Sequence, residues 1–369
     1  MNCSRREFLK SSLAFALGAP LLSKNAFAKN ITPPLHEAMF YKNLDEETVR
    51  CELCPHSCVL GEGGRGFCRA RECRGGKLYS LVYELPCSTH IDPIEKKPMF
   101  HMFPASKSFS IATAGCNSRC KYCQNWQISQ ARPEETVNIK LTKEQVVAKA
   151  IETGCRSIAY TYSEPTIFYE YGLDTAKLAN AKGVKNIWIT GGMINPEPLK
   201  ELSRYVEAAN IDFKAYDDNF LRKICAQNLK TITETVKISK ESGMWIEITN
   251  LIIPTLNDSP AKIRELALWI KNNVGKDVPL HFSRFWPIYK LKNLPPTPVA
   301  TLENARETAL EAGLEYVYIG NLPGHEGNNT YCPSCKSLVI GRRGYLVTAI
   351  NMSGSKCRSC GHKIPGIWQ

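Results

Sequence analysis

The chain has 369 residues, 43% hydrophobic, 22% charged and 9% aromatic, enough for one large globular domain with appendages or for two domains. No apolar run approaches the roughly 20 residues that a membrane-spanning helix needs, so an integral helical membrane protein is not expected. The formal charge of +12 comes from scattered Lys and Arg, without a basic block interleaved with aromatics, and no nucleic-acid partner is expected.

At the N-terminus, Ser4-Arg5-Arg6-Glu7-Phe8-Leu9-Lys10 precedes a short apolar stretch from Leu13 to Leu22, and Ala26-Phe27-Ala28 follows. A paired-arginine head, an apolar run too short to span and a small-residue cleavage site occur in that order, which favours a targeting segment over an amphipathic helix. Residues 1–28 resemble a twin-arginine (Tat) signal. The resemblance implies export of the folded protein to the periplasm, with a mature chain from near Lys29; an unused signal would leave it cytoplasmic.

Residues 29–50 read as a lead-in, and 51–105 are rich in Cys, Gly and Pro. The sixteen cysteines of the chain fall mainly into close clusters, which suits metal ligation better than a disulfide framework. In the first cluster Cys51, Cys54, Cys58 and Cys68 supply four thiolates around a loop containing Gly61, Gly63, Gly64 and Gly66, with Cys73 as a spare. Four ligands close a site, so it holds either structural zinc or an iron–sulfur cluster that relays electrons, and spacing does not decide between them. Unbound or disulfide-linked thiols are the plainer alternative. The segment has few periodic apolar residues, and a bound metal would staple it.

From 106 to 324 strand and helix signals alternate. Strands are expected at Phe109–Ala112, Ser157–Thr161, Asn186–Thr190, Asn210–Lys214, Trp245–Ile252 and Leu280–Phe285. Helices are expected from Thr142 to Gly154, where Thr142 and Gln145 form a capping box, and over 166–182, 197–208, 219–242, 260–273 and 302–312. Six such repeats predict an α/β fold with a parallel sheet covered by helices, either a barrel or a doubly wound sheet.

Directly after the first strand, Cys116, Cys120 and Cys123 stand within eight residues. Three thiolates can hold a [4Fe–4S] cube while leaving its fourth iron without a protein ligand, open to a cofactor or substrate. A structural zinc borrowing a distant fourth ligand is the bland alternative. On later strands, Asp212 shares a face with Lys214, Glu247 with Thr249, and His281 with Ser283. Charges in an apolar strand are paired or face a ligand, so these are candidate cofactor contacts or structural pairs. Cys87, Cys155 and Cys225 stand alone and read as ordinary buried cysteines. In 325–369, Cys332 and Cys335 are followed by Cys357 and Cys360, two C-x2-C knuckles with zinc-ribbon spacing, although a rubredoxin-like iron has the same ligands.

The C-x3-C-x2-C loop, with Tyr122 before its last cysteine, resembles the signature of the radical S-adenosylmethionine (SAM) superfamily. Cys51-Glu52-Leu53-Cys54-Pro55-His56, Asp92-Pro93-Ile94-Glu95-Lys96-Lys97-Pro98, Cys123-Gln124-Asn125-Trp126, Tyr160 to Thr166 and Cys332-Pro333-Ser334-Cys335 extend the likeness. Together they make the chain similar to the AmmeMemoRadiSam-system radical enzymes, relatives of pyruvate formate-lyase activating enzymes, over about residues 50–366. The resemblance implies a partial (β/α)6 barrel with a Cys-rich N-terminal extension (29–105) and a C-terminal zinc-ribbon-like segment (325–369). It implies a [4Fe–4S] cluster on Cys116, Cys120 and Cys123, reductive cleavage of S-adenosyl-L-methionine to a 5′-deoxyadenosyl radical, an electron donor and protein partners of that system. Glu164 stands where the superfamily has a Gly-Gly-Glu-like element near the SAM amino group, with Tyr162 and Ser163 in place of the glycines. Thr190-Gly191-Gly192 stands where activating enzymes have Thr-Asn-Gly. Asp212 and Lys214 match the Asp-x-Lys element of activases, which keeps activation of a glycyl-radical partner as the second reading. A multi-centre iron–sulfur electron carrier is the alternative of another class, and it requires a fourth ligand to the Cys116 cluster.

Overall fold

The computed structural model describes residues 35–369, and the signal-like segment 1–28 lies outside them. Beyond residue 106 the alternating strands and helices build an eight-stranded sheet. Its order is Val317–Gly320, Leu280–Arg284, Trp245–Ile252, Ala208–Asp212, Lys185–Thr190, Ser157–Tyr160, Lys107–Ala112 and Ser88–Pro93. Seven strands are parallel, and Ser88–Pro93 runs antiparallel beside Lys107–Ala112. The two outer strands do not pair with each other, so the barrel is not closed, and the strand order follows the chain without the reversal of a doubly wound sheet, as in a partial barrel.

All six expected strands are present, and two join them. Val317–Gly320 is only four residues long. Ser88–Pro93 is a polar edge strand with His90 and Ile91 exposed, so its alternation carries little apolar signal. The stretch read as an N-terminal extension thus lends the central sheet a strand.

The helix Lys143–Glu152 starts as its capping box dictates: Gln145 N–H donates to Thr142 Oγ1 at 3.3 Å, and Thr142 N–H to Gln145 Oε1 at 2.9 Å. Such a cap is worth about 1 kcal/mol. The single helix expected over 219–242 is broken instead. A short turn at Asp218–Phe220 runs into a π-helical turn at Leu221–Cys225, Ala226 takes a left-handed φ of 54°, and a new helix spans Leu229–Glu241. A side-chain cap starts each piece, and the second, at Asn228, lies at the break. Asp217 accepts from Phe220 N–H at 2.9 Å, and Asn228 accepts from Thr231 N–H at 2.8 Å.

Residues 35–80 fold into two small three-stranded antiparallel sheets. They are fastened to the helix Tyr169–Ala181 by a buried ion pair between Arg71 and Glu170. Residues 330–357 form a three-stranded sheet and a two-stranded one. Here Phe100, Tyr316, Tyr318, Cys332, Ile340 and Ile364 pack into a core separate from the main one. The C-terminal stretch returns to the end of the N-terminal extension: Phe103 N–H donates to Ile367 O at 2.9 Å, and Ile367 N–H to His101 O at 2.8 Å. No helix among the described residues is long and apolar enough to cross a membrane.

Candidate active site

The C-terminal ends of the parallel strands open on a cavity of about 1020 Å³, the position expected for an active site in a barrel of this kind. The strand Lys107–Ala112 feeds the cysteine loop into it through Gly115. That residue has φ 99°, and a Cβ there would lie 2.5 Å from the Cys68 carbonyl oxygen, so only glycine fits. Cys116, Cys120 and Cys123 all line the cavity, and no other cysteine among the described residues does. The loop is held through its backbone: Cys116 N–H donates to Cys68 O at 3.2 Å, Arg119 N–H to Cys225 O at 2.7 Å and Lys121 N–H to Ile224 O at 3.0 Å. The π-helical break supplies the last two acceptors. Burial pushes the Cys116 thiol well above its ordinary range, a cost that iron ligation recovers by displacing the proton.

Among the described residues, the only group of three or more His, Cys, Asp or Glu with ligand atoms all within 4.8 Å is Cys332, Cys335, Cys357 and Cys360. There Cys332 Sγ lies 3.6 Å from Cys360 Sγ, and Cys335 Sγ 3.8 Å from Cys357 Sγ. Four thiolates at about 2.3 Å from one tetrahedral zinc stand about 3.8 Å apart, so this set can hold one ion. Cys116, Cys120 and Cys123 are spread more widely, as suits thiolates that each bind a different iron of a cube.

Glu164 reaches the site but its oxygens are already engaged. Oε1 accepts from Thr190 Oγ1 at 2.6 Å and Thr166 Oγ1 at 2.8 Å, and Oε2 accepts from Gly191 N–H at 2.7 Å. Burial raises its pKa in spite of those bonds. It therefore locks the ends of two strands together. Beside it, Gln227 Nε2 donates to Ser118 Oγ at 3.0 Å, while Gln227 Oε1 is buried without a partner and the residue faces the cavity. An orphaned acceptor there fits an ammonium or amide donor of a bound cofactor. Nothing in the sequence marks Gln227; the π-helical break carries it into place.

Asp212 and Lys214 both line the cavity, with the Lys214 ammonium 2.6 Å from the carboxylate. Burial pulls the Lys214 pKa down, but Asp212 and Cys120 raise it further, and the ammonium stays charged. Cys225, read as an isolated cysteine, instead packs at the cluster loop with its Sγ 3.3 Å from Tyr122 Oη.

Glu247 departs from the expected cofactor contact. It does not line the cavity. Its carboxylate accepts from Phe100 N–H at 3.0 Å, His101 N–H at 2.8 Å, Trp245 Nε1 at 3.1 Å and His281 Nε2 at 2.7 Å. Burial works to raise its pKa, and the hydrogen bonds from His281 and the Phe100 amide help to lower it overall. Glu247 shares a strand face with Thr249 yet lies two residues deeper, where the backbone donors of Phe100 and His101 consume it.

A further network borders the cavity. Asp92 accepts from Lys97 at 2.6 Å, Lys96 at 2.8 Å, Ser110 at 2.9 Å and Tyr162 Oη. Burial pulls Lys97 down to about 8 against the attraction of Asp92. The Asp92–Pro98 run stood out in the sequence, but its role there was not legible.

The Radical SAM superfamily model matches residues 110–267. The uncharacterized protein MJ0808 of Methanocaldococcus jannaschii is 48% identical over 332 residues, covering 89% of this chain and 99% of the relative. The chain belongs to the radical SAM superfamily. It is also similar to the pyruvate formate-lyase-activating enzyme of Clostridium pasteurianum, at 26% identity over 44% of this chain and 69% of that one. A radical SAM methyltransferase from Sphaerobacter thermophilus superposes with a TM-score of 0.48 at 14% identity, over 85% of this chain and 82% of that structure. A radical SAM enzyme carries a [4Fe–4S] cluster and SAM. The three cavity thiols and the orphaned Gln227 oxygen fit those two groups.

Proposed function

We propose that this protein cleaves SAM reductively at a cluster held by Cys116, Cys120 and Cys123 and directs a 5′-deoxyadenosyl radical onto a substrate in the cavity. The observation that carries this is the set of three cavity-lining thiols, with no fourth cysteine beside them among the described residues. An electron carrier needs a closed ligand set, whereas an open iron can be chelated by the amino and carboxylate groups of SAM. Around it the protein fixes geometry: Glu164 ties Thr190 to Gly191, Gln227 offers its free oxygen, and Lys214 brings a positive charge beside Cys120.

Activation of a glycyl-radical partner is the second reading, favoured by the Asp212–Lys214 pair and by the likeness to the Clostridium activating enzyme. Membership of the AmmeMemoRadiSam system, a separate electron donor and Tat export are parts of the same proposal, carried by the sequence motifs alone. A reporter fused to residues 1–35 that stays in the cytoplasm would remove the export part.

The deciding experiment is anaerobic reduction of reconstituted protein with SAM, assaying 5′-deoxyadenosine beside a Cys116→Ala, Cys120→Ala, Cys123→Ala variant. Product from the unmutated chain alone is expected. A loaded, reducible cluster that neither binds nor cleaves SAM would hand the function to electron transfer.

A further inference from the structure

Cys51, Cys54, Cys58 and Cys68 converge on one small enclosed cavity, walled also by Leu53, Phe67, Arg71 and Ile167. Sulfur faces backbone there: Phe67 N–H donates to Cys58 Sγ at 3.3 Å, and a Cβ on Gly66 would sit 3.5 Å from Cys68 Sγ and 3.9 Å from Cys58 Sγ. Cys73, the spare of the sequence reading, is not at the cavity; its Sγ donates to Glu47 O at 3.4 Å.

The arrangement of these four thiols favours one of the two metals that the sequence left open. The C-terminal quartet has the close spacing of a single tetrahedral ion. Neither the N-terminal four nor Cys116, Cys120 and Cys123, the proposed catalytic cluster ligands, gather their sulfurs that closely. One chain therefore displays two spacing classes, and the N-terminal quartet falls with the cluster ligands.

Two further observations point the same way. Arg71 is 1% exposed, and while one terminal nitrogen donates to Met39 O at 3.0 Å and the other to Glu170, its Nε has no partner. An unsatisfied cationic N–H at this cavity is suited to the sulfur of an anionic cluster. The site also abuts the catalytic loop. Cys68 O accepts from Cys116 N–H at 3.2 Å, Arg119 donates to Phe67 O, and Asn117, next to Cys116, is a wall of the N-terminal cavity.

We propose that Cys51, Cys54, Cys58 and Cys68 hold a second [4Fe–4S] cluster, which passes single electrons from a low-potential external donor to the catalytic cluster. In each transfer the second cluster is oxidised by one electron as the catalytic cluster is reduced by one, with no bond made or broken. The relay rests on the radical reading of the cavity above; the occupancy of the N-terminal site does not.

The test uses the full-length Cys116→Ala, Cys120→Ala, Cys123→Ala variant, reconstituted anaerobically and analysed for iron, sulfide and zinc. About four irons and four sulfides per chain are expected to remain, with a cluster signal in electron paramagnetic resonance after reduction. Zinc in place of that iron overturns the assignment. In the unmutated chain SAM should perturb one of two reduced-cluster signals, and a single perturbed signal accounting for all the iron also overturns it. For the relay, Cys54→Ser should slow 5′-deoxyadenosine formation driven by flavodoxin hydroquinone at least about tenfold while leaving SAM binding intact. With dithionite, small enough to reach the catalytic cluster directly, its rate should stay near that of the unmutated chain. Equal rates for Cys54→Ser and the unmutated chain with flavodoxin overturn the relay. Absence of product from the unmutated chain would sink the radical reading instead, and the iron content would still report the site.

Discussion

The Lys214 ammonium lies 2.6 Å from the Asp212 carboxylate on the wall that Cys120 also lines. The carboxylate holds that charge in place beside the cluster loop. Removing one partner of a charged hydrogen bond costs roughly 1.5–3 kcal/mol, and here the loss falls on the reaction more than on folding because Asp212 is a third exposed. Asp212→Asn should therefore lower 5′-deoxyadenosine formation by about 10- to 100-fold, with iron content unchanged. An unaltered rate would reduce the pair to a structural one.

Gly191 is a second lever. A Cβ there would sit 2.6 Å from Gln227 Nε2 and 3.3 Å from Glu164 Oε2. Overpacking of this kind costs about 1–3 kcal/mol. Gly191→Ala should push Gln227 off Ser118 and weaken SAM binding by about tenfold or more in equilibrium dialysis. Wild-type affinity in the variant would free Gln227 from any part in SAM binding.

His101 predicts a pH effect. Its Nδ1 pairs with Pro365 O at 2.7 Å and its Nε2 with Tyr318 Oη at 2.6 Å, a donor–acceptor pattern natural to the neutral ring. Burial lowers its pKa to about 4, against the pull of Glu247. The unfolded chain takes up this proton near pH 6.5 and the folded chain does not, so stability falls as pH drops from about 6.5 towards 4. The full effect is about 3 kcal/mol. Denaturant titrations at several pH values should show this slope, and His101→Gln should flatten it.

The C-terminal quartet predicts a metal dependence. Cys332 and Cys357 belong to the small core with Phe100, Tyr316 and Tyr318. Cys335→Ser should cost one zinc per chain and open residues 330–360 to proteolysis while the Cys116 cluster stays loaded. Unchanged zinc content would remove the ribbon reading.

The close cysteine sets were legible because a loop that wraps a metal must draw its ligands from nearby in the chain. The parallel sheet was legible because burial on both faces leaves strands plainly apolar. What escaped depends on distant partners. Glu247 looks cavity-facing by strand alternation, yet the amides that consume it belong to Phe100 and His101, about 146 residues earlier. Helical periodicity merges 219–242 into one helix, whereas a side-chain cap starts each of two pieces and the turn between them delivers Cys225 and Gln227. Glu164 and the Thr190-Gly191 segment were each found by position, but that the hydroxyls of Thr166 and Thr190 and the amide of Gly191 engage its oxygens was not.

The return of Pro365 and Ile367 to His101 and Phe103 also bears on how the chain reaches its native state. The His101–Pro365 contact spans 264 residues, so its closure entropy is met only after the intervening sheet exists to hold the ends near one another. Contacts that form after the rate-limiting barrier govern how fast a protein comes apart and scarcely affect how fast it assembles. This seam is therefore a latch on lifetime: weakening it at Ile367 should shorten the native half-life in denaturant and leave the refolding rate nearly constant.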